Sequence, residues 1–584
     1  MDRRTFIRNS FGASLGTLAL GHQSFASSGN RDNILTLISR SNDQNVERLL
    51  QNYRRLTASS GGRVLSGFLL SVSAAYCFEE SSYYNSSELV APMLEVTMEL
   101  KNRQNPNGTF DFGNLQSPPD SGFMVEQFFR AQTLLIKDGS THTAELRKGL
   151  KEVMLNATEA LVTGGVHTPN HRWAICAALA GVHSIYPDDR YVSRIDDWLG
   201  EGIGQDSDGQ HPERSPNYDS AVNNPSLLDV SIYLNRPKLL EPIRKNLEMT
   251  IYLLEPNGEV DTIASRRQDA GRVFMVHRYY LPFRFMAILD NNTRFAEVAR
   301  FIESNAMPQL GSHLADFLLH DTLQNELPVN SSLPVNYTKH LAGSHLVRIR
   351  RGNITAAIFG GTDWHLGHGV WSGLSHNPTF FKLRKGDAIL ESIRMAPAFF
   401  STGYFRSNGL EVNGNRFHLT EQRQTPYHQP LPQQCRKEDG LYKMSPDGRF
   451  FSMMDFENRP KDYITLKTDV HIRELNNSGA FELEFSSEQA PNVAYTIELC
   501  FRKGGELSGV IPQDNDPDGY FLKEGTGRYR VGDDVIEFGP GKMEHSRPPR
   551  PNEQYSVHNG TIRAEGYRVL ITLFSPFQYT LRIT

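Results

Sequence analysis

The period at which apolar residues recur changes near residue 335, and this change constrains the fold more than any other feature. From about residue 33 to residue 310, apolar side chains recur every three or four positions, which predicts helices with one buried face. Three such stripes are Leu146, Leu150, Val153, Ala157 and Leu161; Leu240, Ile243, Leu247, Ile251 and Leu254; and Phe295, Val298, Ala299 and Ile302. Because Pro, Asn and Gly punctuate this region, we expect roughly ten helices joined into a ring or bundle.

The second part of the chain alternates between apolar and polar residues with a period of two. Residues 345–350, 463–467, 480–485 and 567–571 follow this pattern, and Asn-Gly and Asp-Gly turns separate such runs, which is typical of antiparallel sheet. A chain of 584 residues is also too long for one core. We therefore predict a multidomain α+β protein, with an N-terminal (α/α) toroid at residues 30–330 and a C-terminal antiparallel β-sandwich at residues 335–584.

The first 26 residues predict an export signal. Arg3 and Arg4 begin a basic segment that resembles a twin-arginine signal, an apolar run covers residues 11–20, and small residues lead to a cleavage site after Ala26. The apolar run is too short for a membrane span, and no later stretch is long and apolar enough. We expect an exported, periplasmic protein of a Gram-negative bacterium.

The charge of the chain limits its partners. The formal net charge is −5, which weighs against nonspecific binding to nucleic acid. An anionic substrate would therefore have to bind in a local basic pocket. Candidates for such a pocket come from three polar clusters.

The first cluster is Asn170-His171-Arg172-Trp173, where a loop enters an apolar helix. The free N–H groups and the dipole at a helix start favour an anion. An amide, an imidazole and a guanidinium in consecutive positions therefore indicate a carboxylate clamp. Alternatively, Asn170 caps the helix and Trp173 packs in the core.

The second cluster is the polar loop from Asp206 to Tyr218. Loops of this length in a compact domain are often functional, although a plain solvated connection is the alternative. Tyr218 lies close to the next helix, so its hydroxyl can be aimed. Residues 266–269, Arg-Arg-Gln-Asp, either line the centre of the toroid or lie on a helix surface.

The third cluster, residues 364–376, contains Trp364, Trp371 and the histidines His365, His368 and His376. Imidazoles here can bind a metal, transfer protons or hydrogen-bond within a loop. Aromatic rings beside polar groups also stack on sugar faces. We expect no required cofactor, and we leave a structural or catalytic metal at these histidines open.

Taken together, the three clusters resemble the heparinase II/III and exolytic alginate lyase group. The resemblance rests on Asn170-His171, on the Asp208-Gly209 loop that leads to Tyr218, and on the histidine-rich start of the β-domain. It implies that Asn170 or His171 neutralises a uronate carboxylate, that Tyr218 transfers protons, and that a histidine of the β-domain completes the site. Among related groups, the lyases that cleave rhamnose-α-1,4-glucuronate caps on arabinogalactan are a closer candidate.

One departure from that group concerns the metal. The usual His-x-Asp after the histidine-rich loop is absent, because Asn377 and Pro378 follow His376. The structural zinc of some relatives is therefore in doubt, and so is the choice among the three histidines.

These residue types suit β-elimination at a uronic acid. H5 of a uronate is a very weak acid, and it becomes removable when donors hold the adjacent carboxylate. We predict Tyr218, His171 and His376 as catalytic residues, with a cation such as Arg214 near Tyr218. The predicted substrate-binding residues, whose partner is an acidic poly- or oligosaccharide, are Asn170, Arg172, Arg214, Trp364, His365 and His368.

Two other functions remain open from the sequence. A glycoside hydrolase on the same scaffold would need two carboxylates flanking the scissile bond, and Asp206, Asp208 and Glu213 are available. A noncatalytic glycan-binding protein would use Trp364 and Trp371. We favour elimination, because hydrolysis gives Asn170, His171 and Tyr218 no evident role.

Overall fold

The computed structural model describes residues 33–329, 331–366, 373–447, 451–547 and 564–584. The predicted export signal at residues 1–26 lies outside them. The helices are α1 Ile34–Ser59, α2 Gly62–Cys77, α3 Val90–Arg103, α4 Pro118–Asp138, α5 Ala144–Thr163, α6 His171–Ile185, α7 Asp189–Gly200, α8 Asn224–Tyr233, α9 Leu240–Leu253, α10 Tyr280–Leu289, α11 Thr293–Ala306 and α12 Leu314–Leu319. The three predicted stripes lie on α5, α9 and the start of α11, and their buried faces are confirmed.

The helices form an inner and an outer layer. The inner helices are α2, α4, α6 and α8. Helix α2 packs against α4, α4 against α6, and α6 against α8, so one outer helix separates consecutive inner helices in the chain. The central residues of α6, from Trp173 to Val182, are buried, as expected for a helix enclosed on all sides. Gly181 permits this packing, because a side chain there would collide with the ring of Phe129 on α4.

A buried ion cluster links three helices inside the ring. Arg130 of α4 bonds to Asp229 of α8 and lies 3.2 Å from Asp316 of α12. Glu126 lies one helical turn before Arg130, and burial raises its pKa to about 8. The single guanidinium thus holds carboxylates from separate helices together, and removing it would leave buried charges unpaired.

Two large sheets and a separate two-stranded ribbon follow the helices. Their strands are β1 Asn336–Leu341, β2 Leu346–Arg351, β3 Ile354–Phe359, β4 Phe381–Lys385, β5 Ala388–Pro397, β6 Glu411–Asn413, β7 Arg416–His428, β8 Ser445–Pro446, β9 Phe451–Ser452, β10 Lys461–Leu475, β11 Ala480–Ser487, β12 Ala494–Phe501, β13 Glu506–Ser508, β14 Ile511–Gln513, β15 Asp516–Phe521, β16 Gly527–Val531, β17 Asp534–Gly539, β18 Tyr567–Phe574 and β19 Phe577–Ile583. The order β1-β2-β3-β4-β5-β12-β18-β15-β14 forms one sheet and β13-β16-β17-β19-β11-β10-β7-β6 the other. Neighbouring strands are antiparallel except β15 and β18.

The apolar sides of the two sheets share one core, so the predicted fold class, a helical toroid followed by an antiparallel β-sandwich, is confirmed. Between Gln324, at the end of a short 3-10 turn, and Asn336 the described residues form no helix or strand. The domain boundary predicted between residues 330 and 335 stays a prediction.

The nine-stranded sheet also packs against the helices through ionic groups. Arg348 of β2 is buried and bonds to Asp261 at 2.6 Å and to Glu255 at 2.7 Å. Arg384 and Arg502 both bond to Glu259. None of the helices in the described ranges combines the length and apolar composition that a membrane span needs.

Candidate active site

The loop that carries Tyr218 is held by hydrogen bonds from two sides. Asp269 accepts hydrogen bonds from the Ser215 hydroxyl at 2.9 Å and from the Asn217 amide at 3.2 Å. Farther along, Asn246 of α9 donates to the carbonyl of Gly209 and to the carboxylate of Asp219, both at 3.0 Å. The phenol of Tyr218 is therefore presented from a fixed loop, as a catalytic group requires.

A chain of polar contacts connects the first two clusters. The Asn170 amide donates to one oxygen of Glu213, and the Arg267 guanidinium donates to the other. Arg267 also donates to the Tyr218 hydroxyl at 3.1 Å, and its guanidinium carbon lies 4.4 Å from the centre of the Tyr218 ring. The Tyr218 hydroxyl in turn donates to Gln268 at 3.3 Å. Asn170, Glu213, Arg267 and Tyr218 thus form one continuous cluster, called the relay below.

The Asn170 side chain bonds to Glu213 within the relay and does not cap helix α6. Helix α6 begins at His171, and the Asn170 side chain makes no capping hydrogen bond. Asn170 is 1% exposed, so its bond to Glu213 satisfies a buried donor. The capping alternative is wrong in this respect, whereas Trp173 does pack in the core.

His171 lies beside the relay in an aromatic setting. Its ring packs edge-to-face against His167 at 4.7 Å and against Phe123 at 5.9 Å. Burial, together with the neighbouring His167, lowers the pKa of His171 to about 4. The imidazole is therefore neutral near pH 7 and can accept a proton.

Arg172 and Arg214 occupy other places than the sequence suggested. Arg172 pairs with Glu201 at 2.8 Å and lies over the ring of Trp173, so it does not join Asn170 in a clamp. Arg214 has a positive φ of 49°, and its guanidinium donates to the carbonyls of Gly361 and Gly343 in the β-domain, each at 2.9 Å. The cation that contacts Tyr218 is Arg267, and the predicted roles of Arg172 and Arg214 in substrate binding stay predictions.

The residues that flank the third cluster contact the loop after α9, which carries Arg267. Arg266 bonds to Asp363 at 2.7 Å, and Asn377 donates to the carbonyl of Ile263 at 2.9 Å. Trp364 is half-buried, and its ring packs edge-to-face against that of buried His376 at 5.5 Å. The β-domain therefore forms one wall beside the relay.

The structure describes the third cluster in part. His368 and Trp371 lie outside the described residues, and so does the side chain of His365. The predicted roles of His365 and His368 stay predictions, and so does the possible metal. No group of three metal-ligating side chains occurs in the part of the chain that is described.

His211, for which the sequence suggested no role, is a further candidate for the site. His211 is 2% exposed, and neither of its ring nitrogens has a hydrogen-bond partner among the described residues. Burial lowers its pKa to about 4, even though Asp206 and Glu213 favour the protonated form. Buried polar atoms are normally paired, so a loop histidine left unpaired two residues before Glu213 is a functional candidate.

Comparisons of structure identify the architecture. A crystal structure of heparinase III matches with a TM-score of 0.53 and 12% identity, covering 88% of this chain and 75% of that one. The chondroitin AC lyase of Streptomyces coelicolor A3 matches with a TM-score of 0.53 and 10% identity, covering 96% of this chain and 80% of that one. The fold is that of the toroid-and-sandwich polysaccharide lyases. No protein-family profile matches the sequence, and no curated protein sequence matches it.

A second structure of the Streptomyces coelicolor A3 enzyme, in complex with chondroitin sulphate, matches with a TM-score of 0.52, 10% identity and the same coverage. At these identities the likeness concerns the fold. The fold alone does not determine the reaction.

Proposed function

We propose that this protein is a polysaccharide lyase that cleaves the bond at O4 of a uronic acid by β-elimination. The observation that carries the proposal is the relay, in which Arg267 contacts the Tyr218 phenol and, through Glu213, is joined to the Asn170 amide. The Streptomyces coelicolor A3 enzyme that shares the fold is named as a lyase, which supports the same reaction.

The elimination needs three groups, and the site offers each of them. A base removes H5, and donors stabilise the negative charge that spreads onto the uronate carboxylate. The C4–O4 bond then breaks, O4 takes a proton from a general acid, and C4 and C5 become doubly bonded. The products are an unsaturated uronate and a sugar with a new reducing end.

Asn170 and Arg267 are the donors in this proposal. A side-chain amide carries two N–H groups, so Asn170 can bind Glu213 and the substrate carboxylate together. Glu213 keeps the amide and the guanidinium side by side. Because the amide is buried, it acts where charge interactions are stronger than in water.

Tyr218 is the proton donor to O4. Its hydroxyl has a guanidinium at 3.1 Å, which stabilises the phenolate left after the transfer. In glucuronate, H5 and O4 lie on the same face of the ring, so one tyrosine can serve both proton transfers. We propose a glucuronate-containing glycan, such as rhamnose-capped arabinogalactan, as substrate.

For a uronate whose H5 and O4 lie on opposite faces, a histidine would supply the base. Burial keeps both His171 and His211 neutral near pH 7, and His376 stands on the β-domain wall. The proposal gives His171 the first place among them, because its side chain is the least enclosed of the three, at 8% exposure against 4% for His376 and 2% for His211.

The acids needed for hydrolysis are already engaged elsewhere. Asp206 accepts hydrogen bonds from the backbone of Asp208 and Gln210 at 3.0 and 2.8 Å, and Asp208 accepts one from Gly343 at 2.9 Å. Glu213 is bound on both oxygens. Two free carboxylates on either side of a bond, which hydrolysis requires, are therefore not offered by this loop.

The test is ultraviolet absorbance during incubation with glycans that differ in their uronic acid: alginate, heparan sulfate, chondroitin, pectin and gum arabic. We expect a rising band of the conjugated C4=C5 carboxylate on at least one glycan, and on gum arabic if the substrate proposal is right. New reducing ends without that band would show a hydrolase, and no product from any glycan would contradict an enzyme for this class.

A further inference from the structure

An arginine at the start of α2 contacts aromatic rings that lead to the candidate site. Its guanidinium carbon, in Arg63, lies 4.7 Å from the centre of the Phe112 ring and 4.1 Å from the centre of the Phe123 ring. Phe123 belongs to α4, and its ring packs edge-to-face against His171 at the start of α6. The starts of three inner helices therefore meet here, and one aromatic ring links Arg63 to His171.

A buried carboxylate holds this guanidinium in place. Arg63 donates to Asp120, which is 3% exposed. Asp120 also accepts hydrogen bonds from the Ser117 hydroxyl at 2.6 Å and from the Asn114 amide at 3.3 Å. Two aromatic contacts and one ion pair thus restrict Arg63, so an anion that binds it immobilises little further side-chain freedom.

Arg63 keeps donors that a ligand can use. A guanidinium carries five N–H groups, and the one hydrogen bond of Arg63 among the described residues goes to Asp120. Its Nε is buried, but the side chain is 33% exposed, so the open donors belong to the terminal nitrogens. A planar guanidinium whose position is fixed matches the paired oxygens of a carboxylate or a sulfate.

The electrostatic environment of His171 connects Arg63 with the relay. Burial is the largest cause that lowers the pKa of His171, and the charges of Arg63 and Arg267 lower it further, although Asp120 opposes them. Both guanidiniums are therefore close enough to act on the same imidazole. No hydrogen bond or ion pair joins Arg63 to the relay in the part of the chain that is described, so the two cations are separate binding groups.

We propose that Arg63 binds a second acidic group of the substrate, a carboxylate or sulfate on a sugar close to the uronate that is cleaved. This inference rests on the proposed function and narrows it, because it predicts a glycan whose acidic groups lie close together, on successive units or on adjoining branches. Asn170 and Arg267 bind the carboxylate of the reacting uronate. Arg63 binds its neighbour and contributes to affinity, not to proton transfer.

Binding is measured without turnover by electrophoresis in native gels that contain alginate, heparan sulfate, chondroitin, pectin or gum arabic, relative to a gel without glycan. We expect Arg63→Met to raise the dissociation constant of the bound glycan about tenfold. Asp120→Asn removes the same ion pair but keeps the guanidinium, so it should raise that constant by less than about threefold. Urea midpoints of these two variants should fall by similar amounts, because both lose the pair.

Three outcomes of the gels decide the assignment. An unchanged dissociation constant in Arg63→Met on every glycan would overturn it. Equal losses of affinity in Arg63→Met and Asp120→Asn would also overturn it, because Arg63 would then only support the fold. Carboxyl reduction of the bound glycan identifies the anion: a difference between wild type and Arg63→Met that disappears assigns a carboxylate, and one that persists assigns a sulfate.

Initial rates separate this inference from the proposed reaction. On the accepted glycan, Arg63→Met should raise KM about tenfold and leave kcat within about twofold of the wild type. Arg294→Met, which breaks an exposed ion pair with Glu248, is the control and should change neither constant. If the absorbance band appears and KM of Arg63→Met is unchanged, the second acidic subsite is refuted and the lyase stands. If the band is absent from every glycan but binding in the gels depends on Arg63, the lyase is refuted and the anion-binding site stands.

Discussion

Two polar regions lie along the boundary between the helices and the β-domain, and they differ in how their charges are paired. In the first, called the ionic interface, Arg348, Arg384 and Arg502 each bond to carboxylates of the loop after α9. In the second, the relay and its histidines, His211 has two ring nitrogens without partners among the described residues. A fully paired region holds domains together, whereas unpaired buried groups are available for chemistry.

The pKa values express the same contrast. Burial alone would raise the pKa of Glu259, but bonds from Arg502 and Arg384 hold it at about 2. At the site, burial without a compensating partner lowers the pKa of His171 and His211 to about 4. The ionic interface therefore stabilises a charged carboxylate, whereas the site keeps its two buried histidines neutral.

Replacing Tyr218 should have the largest effect, because it should lower turnover at the site without changing the stability that the ionic interface provides. We expect Tyr218→Phe to lower kcat on the accepted glycan by about 10²–10⁴-fold, the usual worth of a general acid or base, with no change in the urea midpoint. Initial rates and urea unfolding measure the two effects. Tyr84→Phe, at a 41% exposed residue, is the control, and near wild-type turnover by Tyr218→Phe would refute the assignment.

Removing a cation from the ionic interface should lower stability and leave turnover unchanged. Arg348→Met leaves Asp261 and Glu255 buried without their main partner, so we expect the free energy of unfolding to fall by about 3–5 kcal/mol. Turnover per folded molecule should stay close to that of the wild type. The matched control Arg294→Met breaks an exposed ion pair with Glu248 and should cost less than about 1 kcal/mol. Equal losses in both variants would contradict the special role of this interface.

Two adjacent arginines test the relay itself. Arg267→Met removes the donor to Tyr218 and Glu213, and we expect kcat to fall on the order of 10²-fold, as for loss of one charge-stabilising donor. Arg266→Met breaks the bond to Asp363 and should affect kcat less, although it loosens the β-domain wall. If Arg266→Met lowered kcat more than Arg267→Met, Arg267 would not be the arginine on which turnover depends.

The smallest expected effect is on stability at acid pH. The two regions should lose their contributions to the free energy of unfolding in different pH windows. The pKa of His211 is lowered from 6.5 to about 4 in the folded protein, so its contribution to stability is present above pH 6.5 and is lost as pH falls towards 4. For Glu259, lowered from 4.5 to about 2, the loss falls between pH 4.5 and 2. Urea unfolding of His211→Gln from pH 7 to 4 should show a pH dependence reduced by on the order of 1–2 kcal/mol. A slope identical to that of the wild type would show that His211 is not buried in its neutral form.

The parts of the site that the sequence revealed are those whose neighbours are close in the chain. Asn170 and Tyr218 were recognised because each lies between a polar loop and a helix. Arg267, in contrast, follows Tyr218 by 49 positions and belongs to a segment that was equally compatible with a surface. Nothing local distinguishes it from Arg266, whose side chain reaches the β-domain instead.

The two arginines that sequence proximity placed beside His171 and Tyr218 have other partners in the structure. Arg172 is next to His171, but neighbours on a helix point in different directions, and Arg172 reaches Glu201. Arg214 is four residues before Tyr218, yet its left-handed backbone conformation goes with a side chain that bonds to carbonyls of the β-domain. Both outcomes depend on partners that lie far away in sequence.

The sequence by itself determined the order and type of the elements, because the spacing of apolar residues is a local property that each helix or strand must satisfy alone. It also determined that polar groups gather at helix entrances and in one long loop. Only the tertiary structure decided which groups meet. The relay joins residues 170, 213, 218 and 267, and strand β2 buries Arg348 because the loop after α9 covers it with Glu255 and Asp261. Pairing of charges across such distances follows from packing, which no local pattern encodes.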